Sequence, residues 1–181
     1  MLVPSKVFLT KGVGLHQEKL NSFEMALRKA GIAQFNLVNV SSILPPGCRI
    51  VPRQEGLKYL VPGQIVHVVM SRCDTNEPNR LIAASIGLAR PKDHSLFGYL
   101  SEHHAYGQRE KVAGDYAEDI AAEMLATTLG LAFDPDAAWD RKREIWKISG
   151  QIVQTRNITQ TAIGHKKGYW TTVVAGAILI M

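Results

Sequence analysis

Between Gln64 and Tyr106 the chain offers three strand-like runs in succession, "QIVHVVMSRC", "LIAASIGLAR" and "SLFGYLSEHHAY", parted only by the turn-rich segments "DTNEPNR" and "RPKDH". The strict alternation of strand and helix that builds a parallel sheet is absent here. A run of consecutive strands flanked by helices points instead to an α+β layered sandwich with mainly antiparallel sheets. The flanks agree with this. On the N-terminal side "SKVFLT" reads as a short strand, "GVG" as a turn, and His16 to Ala30 as a helix with Leu20, Phe23, Leu27 and Ala30 at spacings of three and four. Gly31 is placed to end that helix in the left-handed conformation. The strand "FNLVNV" follows it, and beyond the three central runs Glu110 to Leu129 predicts a second helix with Val112, Tyr116, Ile120 and Met124 as its apolar stripe. "DPDAAWDRKRE" reads as a loop or short helix. The chain closes on "IWKISGQIVQTRNI" and "GYWTTVVAGAILIM", two strands whose link "GHKKG" suits a hairpin.

At 181 residues the chain has the length of one domain with one buried core, and no linker or repeat divides it. The formal charge of +5 raises the question of nucleic acid, but the basic residues are scattered and only "RKRE" and "HKK" cluster. Such short runs are usually solvated faces, so no nucleic-acid partner is expected. Cys48 and Cys73 have no paired spacing, which fits reduced thiols and a cytoplasmic protein. The start "MLVPSKVFLTKG" lacks the apolar core of a signal peptide, so the mature protein is expected to begin near Met1. The apolar end "VVAGAILIM" is far shorter than the roughly 20 residues of a membrane helix and reads as a buried strand. No membrane partner is expected.

Two motifs fail on inspection. Gly12 and Gly14 in "KGVGLHQ" resemble the start of a dinucleotide-binding loop, but Gln17 stands where the third glycine is required, and a plain glycine turn is the better reading. Glu102, His103 and His104 adjoin, but strand neighbours alternate faces, so only Glu102 and His104 point the same way. A metal would need a further ligand from elsewhere, and His16, His67, His94 and His165 show no ligand spacing; no metal is expected.

Ser41 and Ser42 interrupt an apolar strand just before Ile43, Leu44, Pro45 and Pro46. By residue type alone a serine pair at a strand end is ordinary turn material. It also permits a particular reaction. The Ser42 hydroxyl can attack the Ser41 carbonyl through a five-membered ring and turn the peptide bond into an ester. β-Elimination then breaks the chain and leaves a dehydroalanine, which tautomerises and hydrolyses to a pyruvoyl group with loss of ammonia. The fixed φ of Pro45 and Pro46 is expected to hold the scissile bond in a strained geometry.

The stretch "LNSFEMALRKAGIAQFNLVNVSSILPPG", Leu20 to Gly47, together with "KDHSLFGYLSEHHA" around Glu102, resembles the pyruvoyl-dependent arginine decarboxylases. The shared combination is an LN-x-F-acidic helix, AGI, an N-x-x-x-x-SS strand and PP-G after it, with weaker likeness along nearly the whole chain. The resemblance implies an αββα layered fold, trimers of cleaved protomers, and active sites at subunit interfaces. It implies self-cleavage between Ser41 and Ser42 into a β chain of residues 1–41 and an α chain of 42–181 capped by pyruvoyl. The pyruvoyl carbonyl is then the electron sink for converting arginine to agmatine, a polyamine precursor, and carbon dioxide, as pyridoxal phosphate is elsewhere. The matching family motifs make Glu102 the proton donor and put Asn36 in the active site, although Asn36 lies some 20 Å from Ser42 along a straight strand. Where members of the family carry Asp for the substrate guanidinium, this chain has Glu24. Two other readings stand beside this one: a pyruvoyl decarboxylase of another amino acid such as histidine, and an unprocessed nucleic-acid-binding protein using Trp146, Tyr169, Trp170 and nearby lysines.

Overall fold

The computed structural model describes residues 2–131 and 152–181. In chain order its elements are β1 (Lys6–His16), α1 (Lys19–Ala30), β2 (Asn36–Asn39), β3 (Ile43–Leu44), β4 (Arg49–Ile50), α2 (Arg53–Gly56), β5 (Ile65–Thr75), β6 (Leu81–Pro91), β7 (Gly98–Tyr106), α3 (Glu110–Thr128), β8 (Ile152–Ile163) and β9 (Trp170–Ile180). The strands make two sheets, one ordered β2-β5-β9-β1-β4 and the other β3-β7-β6-β8. Pairing is antiparallel except where the short strands β4 and β2 run parallel to β1 and β5. The expected α+β sandwich is present, with two sheets between helices.

The apolar pattern of the central strands explains the layering. In β9, Val173, Ala175, Ala177 and Leu179 face the second sheet, where they meet Ile82, Ile86, Leu88 and Leu100. The alternate residues Val174, Ile178 and Ile180 pack under α1 with Phe8, Ala26 and Leu27. A strand covered on both faces needs no polar side, so "VVAGAILI" is continuously apolar without being a membrane segment. Among the described residues no helix is long and apolar enough to cross a membrane.

Glycine and alanine set how closely the helices approach. β1 does not stop at Thr10 but continues through "GVG" and pairs with β9 along its whole length, Lys6↔Ile180 to His16↔Trp170. A Cβ on Gly12 would overlap the Ala26 carbonyl, and one on Gly14 the Ser22 carbonyl. The two glycines are thus the floor on which α1 rests, which displaces the expected turn. The helix accordingly starts at Lys19 rather than His16, with Leu20 exposed, and Gly31 ends it at φ 77°. The apolar stripe expected on α3 is likewise replaced: Val112 and Tyr116 are exposed, while Ala113, Ala117, Ala121 and Leu125 are buried. Small side chains let this helix sit directly on Gly87, where a Cβ would strike the Ala117 carbonyl.

The link "GHKKG" does not form a hairpin, because β8 belongs to one sheet and β9 to the other. It carries the chain across the sandwich, as does the segment between β5 and β6. "DPDAAWDRKRE" and the first residues of "IWKISGQIVQTRNI" lie outside the described residues.

Candidate active site

A third crossing between the sheets occurs at the two serines. The Val40 N–H donates to the Val68 carbonyl at 3.0 Å, the last bond to the first sheet. Two residues later the Ser42 carbonyl accepts from the Leu100 N–H at 2.7 Å, the first bond to the second sheet. Between these anchors the Ile43 N–H donates to the Ser41 carbonyl at 2.9 Å, closing a three-residue turn centred on Ser42. β3 pairs with β7 for only two residues, Ile43↔Tyr99 and Leu44↔Gly98. Pro45 and Pro46 then end the pairing, since neither has an N–H to give. No residue from Ser41 to Pro46 occupies the left-handed region and no peptide bond among the described residues is cis, so the strain expected around the scissile bond is not seen. In its place are two flanking carbonyls, each held by a backbone donor. Ser41 is exposed and Ser42 half-buried.

Leu100 connects Ser42 to Glu102. The two β7 residues share a strand face, about 7 Å apart along the strand. Leu100 points into the core between the sheets, whereas Glu102 lies where that face has emerged from the sandwich. Among the described residues the outer edge of β7 has no strand partner past β3, and β5 reaches it through side chains: Ser71 Oγ donates to the His103 carbonyl at 2.6 Å and Cys73 Sγ to the Ala105 carbonyl at 3.8 Å. Although Glu102 is exposed as a residue, burial pushes its carboxyl above the usual carboxylate range; the charge of His104 pulls the other way. His103 turns to the opposite face, where its ring lies 4.5 Å from that of Tyr116 and its Nε2 meets Gln108 Oε1 at 2.9 Å. Among the described residues no group of three His, Cys, Asp or Glu is arranged to hold a metal.

Glu24 and Asn36 meet elsewhere. Both line a groove of about 510 Å³ on the outer side of the first sheet, together with Phe23, Asn39, Met70 and Arg72. Asn36 is tied down by its Nδ2 donating to the Gly63 carbonyl at 2.7 Å. Glu24 accepts from Arg28 Nε at 3.0 Å, one helical turn away on an open surface. Arg72 lies 4.0 Å from the Phe23 ring and pairs with Asp74 at 2.8 Å. The groove runs along β2, with Asn36 at the start of the strand, Asn39 at its end and the serines beyond that end.

A second cavity of about 430 Å³ opens beside Ser41 and is lined by Val40, Ile43, Pro45, His67 and the two chain ends. In the sequence Arg72 does not stand out, and His67 does so only as a histidine without ligand spacing. The signal for Arg72 was a long cation inside an otherwise apolar strand; His67 carried none, because it lines the cavity only once β2 pairs with β5, Val38↔His67. Of the aromatics considered for nucleic acid, Tyr169 stacks on His165 at 4.8 Å and Trp170 lies under Lys19 at 4.8 Å. Trp146 lies outside the described residues.

Comparison with known proteins bears on this arrangement. A family model described as pyruvoyl-dependent arginine decarboxylase matches residues 6–181. A protein of Chloroherpeton thalassium named as a probable pyruvoyl-dependent arginine decarboxylase is 60% identical over 178 residues, 98% of each chain. Pyruvoyl-dependent arginine decarboxylases of Nitrosopumilus maritimus and Methanosarcina mazei are 56% and 55% identical, over 99% of this chain and 98% of each relative.

Proposed function

The chain belongs to the pyruvoyl-dependent arginine decarboxylases, and from that premise we propose that it converts arginine to agmatine and carbon dioxide with a pyruvoyl group made from its own Ser42. The observation that carries this reading is the bond from Leu100 N–H to the Ser42 carbonyl, which seats residue 42 beside the strand that bears Glu102. The surroundings fit the group. Ser42 is half-buried at a crossing where both neighbouring carbonyls are held, and an acid with a raised pKa stands on the adjoining strand face.

Maturation cuts the bond between Ser41 and Ser42 and leaves residues 1–41 and 42–181 as two chains of one domain. Once formed, the pyruvoyl carbonyl supplies an electron sink next to the carboxylate that is lost. Glu102, whose pKa burial raises above the usual carboxylate range, delivers a proton to the substrate α-carbon. Glu24 receives the guanidinium through paired hydrogen bonds. Asn36 opens β2 and Ser42 lies beyond the strand's other end, so Asn36, with Glu24 beside it in the groove, serves the Ser42 of a neighbouring protomer; the cleaved protomers assemble as a trimer in the cytoplasm with sites between subunits. Net positive charge does not steer a cationic substrate, so selection falls to such local acids.

Intact-mass measurement of the purified protein tests the reading. Two chains are expected, the larger beginning at residue 42 with a carbonyl that borohydride reduces. A single 181-residue species would reject it. Turnover of arginine against lysine, ornithine and histidine then decides the substrate, since Glu24 is one methylene longer than the family's aspartate.

A further inference from the structure

We propose that two backbone N–H groups, those of Ile43 and Leu100, are the electrophilic catalysts of the chain's own cleavage, each serving a different step. The inference rests on Ser41-Ser42 being the processing site. Its starting point is a donor that the sheet does not use. β3 is the edge strand of its sheet. Leu100 N–H bonds to Ser42 across the Ile43↔Tyr99 pair, which makes that pair the non-hydrogen-bonded type, in which Ile43's own N–H faces away from β7. An N–H on an open edge ordinarily goes to water. Here it turns back to the Ser41 carbonyl at 2.9 Å.

The chemistry needs a donor at that oxygen. In the first step Ser42 Oγ adds to the Ser41 carbonyl carbon and its proton passes to the Ser42 nitrogen. Charge develops on the Ser41 oxygen in the ring intermediate; the C–N bond then breaks, leaving an ester and a free amine. The Ile43 N–H already points at the oxygen that becomes negative. In the second step the Ser42 α-proton passes to solvent base, the Cβ–Oγ bond breaks, and Ser41 leaves as a carboxylate, with dehydroalanine behind it. The carbanion formed at Cα spreads onto the Ser42 carbonyl oxygen, which is the atom Leu100 N–H holds at 2.7 Å. Tautomerisation and addition of water then release ammonia. Neither step requires a further reactant, and neither donor is a side chain, which is why no residue type in the sequence marks them.

Replacing residue 43 or residue 100 by the corresponding α-hydroxy acid exchanges one N–H for an ester oxygen and leaves the side chain in place. With the donor at 43 removed, the acyl shift is expected to slow about 100-fold, the lower end for loss of one oxyanion donor. No ester should accumulate between residues 41 and 42. An ester at 43 makes the Ser42 α-proton more acidic, so any slowing cannot come from elimination. With the donor at 100 removed, the ester should accumulate, and hydroxylamine should release residues 1–41 as a hydroxamate. The introduced esters also react with hydroxylamine, but their fragments end at residue 42 or 99 and differ in mass. Ile43→Val, which keeps the N–H, should process like the parent. Because Ile43 N–H takes no part in the β3–β7 ladder, the residue 43 variant tests the proposal even if the one at residue 100 does not fold. Parental processing of the residue 43 ester would overturn the proposal. A parent chain that itself stays whole would overturn the processing site beneath it, which is a separate result.

Discussion

The crossing at Ser42 and the groove at Glu24 are built from different materials. At the crossing every stated hydrogen bond is made by backbone, and the groups involved are held between two sheets whose order fixes them. In the groove the groups are side chains on open surface, and Glu24 is held by an arginine whose own side chain is 70% exposed. The contrast teaches where each property of the enzyme is kept. On the proposed assignment, bond-making depends on distances that vary little when side chains change, whereas recognition depends on side chains that substitution can retune without disturbing the sheets.

The sharpest way to break that contrast is Ser42→Ala, which removes the attacking oxygen; cleavage and decarboxylation should both be abolished, with one chain on a denaturing gel. Residual two-chain product would show that another bond is cut. Next in size is Glu102→Gln. It should cleave normally, because the acid for turnover has no part in the acyl shift, and then lose about 10²- to 10⁴-fold in kcat, the range for a general acid. Near-parental kcat in fully processed protein would assign the proton to another group.

A smaller effect is expected on the pH profile. Glu102 acts as an acid only while protonated, and its raised pKa means that kcat should fall with increasing pH at a higher point than an ordinary carboxylate gives. His104 draws that point down, so His104→Gln should move the fall to still higher pH; a shift in the opposite direction would break the assignment. The mildest change belongs to the groove. Glu24 is partly exposed in the lone protomer, so its pairing with a guanidinium is worth at least about 1 kcal/mol, and Glu24→Gln should raise KM for arginine by at least about fivefold with cleavage untouched. An unchanged KM would return Glu24 to the solvated face of its helix.

Strands were legible where period and turn residues agreed, as in β5, β6 and β7, and the terminal run declared itself buried by lacking any polar face. Legibility failed where small residues acted through the backbone of a neighbour. Gly12 and Gly14 look like a turn until α1 is seen lying on them, and the alanines of α3 yield to Val112 and Tyr116 in any count of apolarity, though they make the contact. "GHKKG" has hairpin chemistry, yet which sheet receives the next strand depends on partners far away in sequence. The same holds for the site. The serine pair and Glu102 stand out by residue type and by likeness to a family. Their juxtaposition comes from β3 finding β7 more than fifty residues later, which no local pattern announces.

The proposed cut between Ser41 and Ser42 would fall where the chain leaves the first sheet, so everything before it, β1, α1 and β2, would remain there as an inserted piece. β1 sits between β9 and β4, paired with β9 across eleven residues, and α1 covers it. Uncut, this piece is tethered at residue 41 and the protomer unfolds as one molecule. After such a cut the protomer would be a heterodimer in the thermodynamic sense, and its stability would acquire a mass-action term in which dilution favours separation. The length of the β1–β9 pairing, which the loss of two turn-forming glycines to a strand made possible, would then hold the small chain in place together with β2 on β5.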